Sequence, residues 1–491
     1  MTGIVPEKFR SCYDLCMENS TFDVVIIGSG PGGTEAARIL AAGGRKVALV
    51  EKNLVGGECL HVGCIPSKVY LHSSHLYQIM QKGEMYGVVA DGLRFDFAKL
   101  VERRKKVVDM LHRGLANSLK ALGVQVFHGN GVLADVNGGT ASVSIVSQDG
   151  ERMLSSKFVL LASGSSPRVP DGVKIGGRIM TNREVFSLEQ QPGSLLITGG
   201  GTVGCEMASF FSSIGTRVTV VERGERLIMR EDCEISAEFL KLLTRSDAKV
   251  DFGTSVLSLE DRGGSVHVVL ERDGVREEID VECALVAAGR SLNNDVCDYR
   301  ACGISVADGK VVTNGCMQTS VPNVYAIGDL AGKMLLAYTA EREGEIAAYH
   351  ILGVKMDDDA CRMNYGSVPS VIFTHPEIAS VGLTEEAARA AGKNIIVKKA
   401  MFAMNSKALI MGERDGFVKV VCEAGSGALL GVHIIGPDAT TIIDKATLAV
   451  SRGLDASIVL SAIAGHPVTS ETLEAALEMV VEEGNRGEYL S

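Results

Sequence analysis

One arrangement occurs twice in this chain and limits its fold more than any other feature: an apolar strand, a glycine-rich turn, a helix-forming stretch and a second strand ending in glutamate. The first copy takes residues 22–27, the turn Gly28-Ser29-Gly30-Pro31-Gly32-Gly33, a helical stretch to 42 and a strand over 46–50 closed by Glu51. The second takes 194–198, Gly199-Gly200-Gly201-Thr202-Val203-Gly204, a helical stretch to 214 and a strand over 217–221 closed by Glu222. In both, the glutamate follows the first motif glycine by 23 positions, close to the ~20 expected of a dinucleotide-binding βαβ unit. A lone GxGxxG turn is weak; two copies with matching strands and acidic ends are strong. Glycines let the backbone approach a pyrophosphate, whose charge is met by the amides and partial positive charge at the helix start. Glu51 and Glu222 are expected to accept hydrogen bonds from a ribose diol. A carboxylate at 222 favours NAD over NADP, although the neighbouring Arg223 keeps NADP open.

The 491 residues allow about three domains of roughly 150 residues each. Lys plus Arg number 49 against 60 Asp plus Glu, a net charge of −11 that repels nucleic-acid backbones. The one basic run, Arg103-Arg104-Lys105-Lys106, reads as a solvated helix face. No apolar run reaches 18 residues and the first twenty carry Glu7, Asp14 and Glu18, so neither a membrane span nor a signal peptide is visible. The expected location is cytoplasmic. Twelve cysteines are too few for a disulfide scaffold in a chain this long. Close pairs are therefore suspected of redox or metal chemistry, and two qualify, Cys12 with Cys16 and Cys59 with Cys64.

Gly56-Gly57-Glu58-Cys59-Leu60-His61-Val62-Gly63-Cys64-Ile65-Pro66-Ser67-Lys68 follows the first nucleotide unit and opens an amphipathic helix to about Gln81. Residues five apart in a regular helix have Cα atoms roughly 8 Å apart, beyond the ~7 Å limit of a disulfide. The segment must therefore be distorted if the cysteines pair, and Gly57 and Gly63 permit that. Pro66 suits a first helical turn, which puts Cys64 at a helix N-terminus, where the dipole favours thiolate. Zinc would need two further close ligands, and none follow, so no metal site is expected. Buried structural cysteines are the remaining alternative.

Ala287-Ala288-Gly289-Arg290 and Tyr325-Ala326-Ile327-Gly328-Asp329 each read as a strand entering a turn, returning to the earlier sheets. From about Tyr365 the pattern becomes alternating strands, such as 416–422 and 429–435, followed by helices over 440–452 and 470–483. That is a separate α+β domain, preceded by Asp357-Asp358-Asp359 as a solvated linker.

Together, the motif at Gly28, the two-cysteine segment, the motif at Gly199, Gly328-Asp329 and His466-Pro467 with Ser470-Glu471 resemble the pyridine nucleotide-disulfide oxidoreductases over about residues 21–491. The Ile65-Pro66-Ser67-Lys68 ending is similar to that of its lipoamide and mercuric branches. The resemblance implies an α/β fold of two Rossmann-like dinucleotide-binding domains, for FAD and NAD, plus a C-terminal α+β dimerisation domain. The implied boundaries are an extension over 1–20, FAD-binding segments 21–165 and 291–364, an NAD-binding domain 166–290 and a dimerisation domain 365–491. Residue by residue, it places FAD against Gly28, Gly30, Gly33, Glu51, Lys68, Gly131, Gly164, Asp329 and Ala337. It places NAD against Gly199, Gly201, Gly204, Glu222, Val256 and Gly289.

In chemistry, the resemblance implies a Cys59-Cys64 redox disulfide, with Lys68 and Glu206 paired near the reactive flavin nitrogen. His466 is implied as the base that deprotonates the attacking thiol and Glu471 as its orienting carboxylate, acting on the other subunit's disulfide, so that the homodimer is the catalytic unit. The implied partner is a lipoyl-bearing protein of a 2-oxoacid dehydrogenase or glycine cleavage complex. His61, Ser163, Leu292, Tyr338 and Ala464 depart from the family pattern, and Tyr338 and Ala464 bear on which thiol is the substrate. The alternatives are an NAD(P)H-dependent reductase of another small disulfide, a mercuric reductase-like enzyme, and a scaffolding subunit with a vestigial redox loop. The C-terminus lacks the cysteine pair of mercuric reductases.

Overall fold

In the computed structural model the described residues are 20–355 and 362–489. Cys12, Cys16 and the Asp357-Asp358-Asp359 run lie outside them. The chain divides into two compact units, one holding the described residues up to Ile65 with Lys106–Ser166 and Arg290–Met363, the other Pro66–Lys105, Pro167–Gly289 and the described residues from Asn364.

The first unit is built on a doubly wound sheet. Gln125–His128, Val47–Glu51, Ser20–Ile27 and Gly150–Leu161 run parallel in that order, with Val24 opposite Val47 and Phe158. Gly150–Leu161 changes neighbour along its length: its first half pairs antiparallel with Thr140–Ser147, while Val159 to Leu161 pair parallel with Val324–Ala326. The central strands read as continuous apolar runs because both faces are covered. Val24, Val25 and Ile26 are fully buried, Val25 facing one core with Val159 and Leu161, Val24 and Ile26 facing another with Leu40 of the helix Pro31–Ala42 and Ile346 of the helix Ala337–Leu352.

The second unit contains a parallel sheet ordered Lys249–Phe252, Arg217–Glu222, Ser194–Thr198, Cys283–Val286, Ile179–Met180. An antiparallel meander of Thr254–Asp261, Val266–Arg272 and Val275–Val281 accompanies it. Its third sheet is antiparallel, ordered Ser370–Ile372, Glu377–Gly382, Leu429–Gly436, Phe417–Glu423, Ile395–Met401. The helices Ala439–Ser451 and Glu471–Tyr489 bury Ile442, Ala446, Leu473 and Leu477 against it. The strands and helices of both glycine-turn units, the antiparallel strands after Tyr365 and the two closing helices thus form where the sequence pattern puts them.

Residues 66–105 join the second unit although they lie between the two halves of the first. The reason is a shared core: Tyr70, Leu71, Phe97, Leu100 and Val101 pack with Phe186, Phe210 and Phe211. The Tyr70 ring meets those of Phe97, Phe186 and Phe210 at centroid distances of 6.1, 5.2 and 4.9 Å, spacings at which aromatic pairs attract. The basic run is also less uniform than its charge suggests. Arg103, Lys105 and Lys106 are exposed, but Arg104 is half-buried and donates to the Phe186 carbonyl oxygen at 2.7 Å.

Candidate active site

The two glycine turns are near-copies in space. A Cβ on Gly33 would lie 2.1 Å from the Gly28 carbonyl oxygen, and one on Gly204 would lie 2.0 Å from that of Gly199. No side chain fits at either place. In contrast, apart from the glycine and its two chain neighbours, no atom of the described residues comes within 4 Å of a Cβ built on Gly30 or Gly201. Gly30 and Gly201 are also the N-caps of Pro31–Ala42 and Thr202–Ser213, helices with neither a side-chain cap nor an acid in the first turn. A tight turn, open space above it and a helix start without a side-chain cap fit a diphosphate at both sites.

Each turn is braced by its glutamate. Oε2 of Glu51 accepts from the Ser29 amide at 3.0 Å and the Ser29 hydroxyl at 2.7 Å, and Oε1 from the Asn53 amide at 2.8 Å. Oε2 of Glu222 accepts from the Gly200 amide and Oε1 from the Gly224 amide, both at 2.6 Å. The sequence suggests a carboxylate reserved for a ribose; in the fold it also holds its own loop. Each oxygen can accept two hydrogen bonds, so Oε1 of Glu51 and both oxygens of Glu222 keep one place each for a ribose hydroxyl.

The cysteine segment is two helices rather than one. Gly57–Val62 ends at Gly63, whose φ of −134° and ψ of −111° break the helix, and Cys64–Gln81 begins at the next residue. Cys59 therefore lies inside the first helix and Cys64 at the start of the second, the distortion that pairing requires. A Cβ on Gly63 would sit 2.9 Å from the Glu58 carbonyl oxygen and 3.2 Å from the Cys59 Cα, so the fold at this corner needs glycine. Both cysteines are half-buried. Gly57, with φ of 62°, brings this helix onto the first glycine turn, its Cβ position 2.8 Å from the Gly30 Cα. The Gly56 amide donates to the Ser29 carbonyl oxygen at 3.0 Å.

Glu58, beside Cys59, takes part in an ionic chain that sequence reading misses. Arg290 donates through Nη2 to Oε2 of Glu58 at 2.6 Å and to the Ser165 carbonyl oxygen at 2.7 Å, and through Nε to the Ser165 hydroxyl at 2.5 Å. The Ser165 hydroxyl donates in turn to Asp329, whose Oδ2 is 3.7 Å from Arg290 Nε. Asp329 occupies the turn Gly328–Ala331, and Ala337 is the first residue of the helix that follows. Gly164 accepts from the Asn293 amide at 3.0 Å, and Gly131 backs onto Val50 and Ile27.

One turn beyond Cys64, Lys68 meets Glu206. Its Nζ lies 2.8 and 3.0 Å from the two carboxylate oxygens of Glu206, which is 3% exposed. Phe373 completes this group: its amide donates to Glu206 Oε1 at 3.1 Å, and the lysine ammonium stands 4.6 Å from its ring centroid. Nearby, His375 Nε2 is 2.8 Å from the Leu71 carbonyl oxygen, and burial lowers its pKa to about 4. A neutral, hydrogen-bonded imidazole accords with the packing role its position suggests.

His466 Nδ1 is 2.8 Å from Glu471 Oε1, and the other carboxylate oxygen accepts from the Val468 amide at 2.9 Å. The bond from His466 is the main cause holding the Glu471 carboxyl below its usual pKa, with the Val468 amide second. The sequence suggests Thr469 or Ser470 as the cap of the last helix. The Thr469 hydroxyl instead donates to Asp438 at 2.9 Å, and Asn405 Nδ2 donates to the Val468 and Thr469 carbonyl oxygens at 3.1 and 3.4 Å. The loop bearing His466 is thus clamped from both sides. Of the remaining expected residues, Gly289 accepts from the Arg168 amide at 2.9 Å, and Val256 lies at a bulge in Thr254–Asp261.

Two dinucleotide folds on one chain, with a dithiol following the first glycine turn, define an oxidoreductase that exchanges electrons between thiols and nucleotides. Residues 22–344 match the pyridine nucleotide-disulphide oxidoreductases and residues 368–477 the dimerisation domain of the same family; this chain belongs to that family. It is an FAD- and NAD-using enzyme and a homodimer. It is 37% identical to the dihydrolipoyl dehydrogenase of Chlorobaculum tepidum, covering 93% of this chain and 96% of the relative. It is likewise 37% identical to a dihydrolipoyl dehydrogenase of Bacillus subtilis, over 93% and 97%. Among solved structures, LpdA of Mycobacterium tuberculosis superposes with a TM-score of 0.87 at 25% identity, over 94% of this chain and 99% of that one. The HOCl-induced flavoprotein disulfide reductase RclA of Escherichia coli does so with 0.82 at 26%, over 93% and 100%. No described helix is long and apolar enough to cross a membrane.

Proposed function

We propose that the chain oxidises the dihydrolipoyl group of a lipoyl-bearing protein, serving a 2-oxoacid dehydrogenase or glycine cleavage complex in the cytoplasm, with NAD as the electron acceptor. The observation that carries this reading is the pair of cysteines divided between two helices at Gly63, directly after the first nucleotide unit. Segments 21–165 and 291–364 would hold FAD, 166–290 NAD, and 365–491 would pair the subunits.

In this reading Cys59 and Cys64 form the resting disulfide. A dihydrolipoyl thiol gives its proton to His466 Nε2 and attacks Cys59, forming a mixed disulfide and releasing Cys64 as thiolate. The second substrate thiol then attacks the mixed disulfide, closing the lipoyl ring and releasing Cys59, so that two electrons remain on the enzyme dithiol. A carboxylate only accepts, so Nδ1 of His466 donates to Glu471 and Nε2 is left as the base. Glu471 also stabilises the imidazolium that forms. Bound FAD supplies the two-electron relay from this dithiol to NAD. Gly30 and Gly201 leave room for the two diphosphates, Glu51 and Glu222 receive the riboses, and Lys68 with Glu206 fixes the charge beside the relay.

The deciding experiment is the initial rate of NADH formation from dihydrolipoamide and NAD, with NADP as the competing acceptor and Cys59→Ser as the control. A fast, NAD-specific rate that the variant abolishes is expected. No rate from protein shown to contain FAD would reject lipoamide and direct attention to other disulfides, with NADH or NADPH as donor.

A further inference from the structure

The redox segment carries a carboxylate in its first helix, at Glu58, directly before Cys59. The Glu58 carbonyl oxygen also backs onto Gly63, the corner that precedes Cys64. When the pair is reduced, Cys64 at its helix start favours the thiolate, so the dithiol state gains negative charge that the disulfide lacks. A bare glutamate in the same short segment opposes that gain. Its ion-pair partner is Arg290, 2.6 Å away, with 25% of the Glu58 side chain and 26% of the Arg290 side chain exposed. Arg290 is held in turn by the hydroxyl and carbonyl of Ser165, and Asp329 stands 3.7 Å off. The guanidinium is thus fixed by groups other than the one it neutralises.

We propose that Arg290 is a positioning residue for the redox chemistry: by holding and neutralising Glu58 it sets the equilibrium between the Cys59-Cys64 dithiol and its disulfide. This rests on the reading of Cys59 and Cys64 as a redox pair. It differs from a purely mechanical strap in sign. Removal of Arg290 leaves the carboxylate without this cation and favours the disulfide. Removal of the carboxylate leaves the cation and favours the dithiol. Removal of both cancels.

The test equilibrates purified, FAD-containing protein in buffers of reduced and oxidised dithiothreitol. In the step measured, Cys59 and Cys64 lose two electrons and form an S–S bond, while oxidised dithiothreitol takes the two electrons and two protons, one from Cys59 and the other from buffer where Cys64 is thiolate, and its own S–S bond opens. Differential alkylation and mass spectrometry then give the fraction of the Cys59-Cys64 pair in each state. Arg290→Met is expected to shift the midpoint ratio about three- to tenfold toward disulfide. Glu58→Gln is expected to shift it the opposite way, and the double variant to return within about twofold of the parent. Arg290→Lys, which keeps the charge, is expected to stay within the same margin. Should Arg290→Met fold poorly, the sign for Glu58→Gln alone still decides. Unchanged ratios in the single variants, or shifts of the same sign in both, overturn the proposal while leaving the redox pair intact. No Cys59-Cys64 disulfide at any ratio, in the parent as well, overturns the functional reading with it.

Discussion

The imidazole of His466 and the carboxylate of Glu471 are five residues apart and share a hydrogen bond of 2.8 Å, made on the Nδ1 side. The second oxygen of Glu471 is taken by the Val468 amide, so the carboxylate cannot rotate without losing one bond or the other. Both bonds lower its pKa, the one from His466 more, and it therefore stays ionised through neutral pH and loses these interactions only as pH falls through that depressed value. Glu471→Gln is expected to lower kcat for dihydrolipoamide oxidation about ten- to a hundredfold with little change in KM, and His466→Gln to lower it further, about 10²- to 10⁴-fold. Steady-state rates at pH 8 with unchanged FAD content check both.

Glu206 is almost fully buried and is met by one cation and one amide. Glu206→Ala leaves the Phe373 amide without this acceptor and Lys68 without its counter-ion. With 32% of the lysine side chain still exposed, solvent offsets part of the loss. A destabilisation of about 1–3 kcal/mol is expected from denaturant unfolding.

The two turns can be disabled separately. Gly33→Ala places a methyl group 2.1 Å from the Gly28 carbonyl oxygen and should yield protein without FAD. Gly204→Ala makes the corresponding clash, at 2.0 Å, in the second turn. It should retain FAD while raising KM for NAD at least about tenfold. Bound flavin absorbance and NAD-dependent rates distinguish the two losses.

His375 gives a stability signature in acid. Burial holds its pKa near about 4 in the fold, against about 6.5 in the unfolded chain. Between those values the unfolded chain binds a proton that the folded chain refuses, so stability falls as pH drops from 6.5 toward 4. The loss should reach about 2–3 kcal/mol. His375→Gln should flatten this part of the curve, as read by unfolding at a series of pH values.

The elements that place the site were legible because each has a local signal. Gly28 to Gly33 and Gly199 to Gly204 announce strand, turn and helix, and Pro66 with Gly63 announces the helix that begins at Cys64. The groups that went unread are long-range. Arg290 reaches Glu58 across 232 positions and Phe373 reaches Glu206 across 167, and no periodicity or spacing records either pair. The cap expected of Thr469 or Ser470 is a further case: the Thr469 hydroxyl is turned toward Asp438, 31 positions away, to which it donates. Arg104 lost its solvated character to a carbonyl 82 positions away.

Glu222 serves two masters. In the proposed reading its carboxylate meets the coenzyme ribose, and in the fold the same carboxylate pins Gly200 in the glycine turn and Gly224 in the loop that follows its own strand. An exchange that admits a 2′-phosphate by deleting the carboxylate also strips two backbone amides of their acceptor. In that reading nucleotide preference is tied to the integrity of both loops, and a switch to NADP is expected to need a compensating brace as well as a new recognition residue.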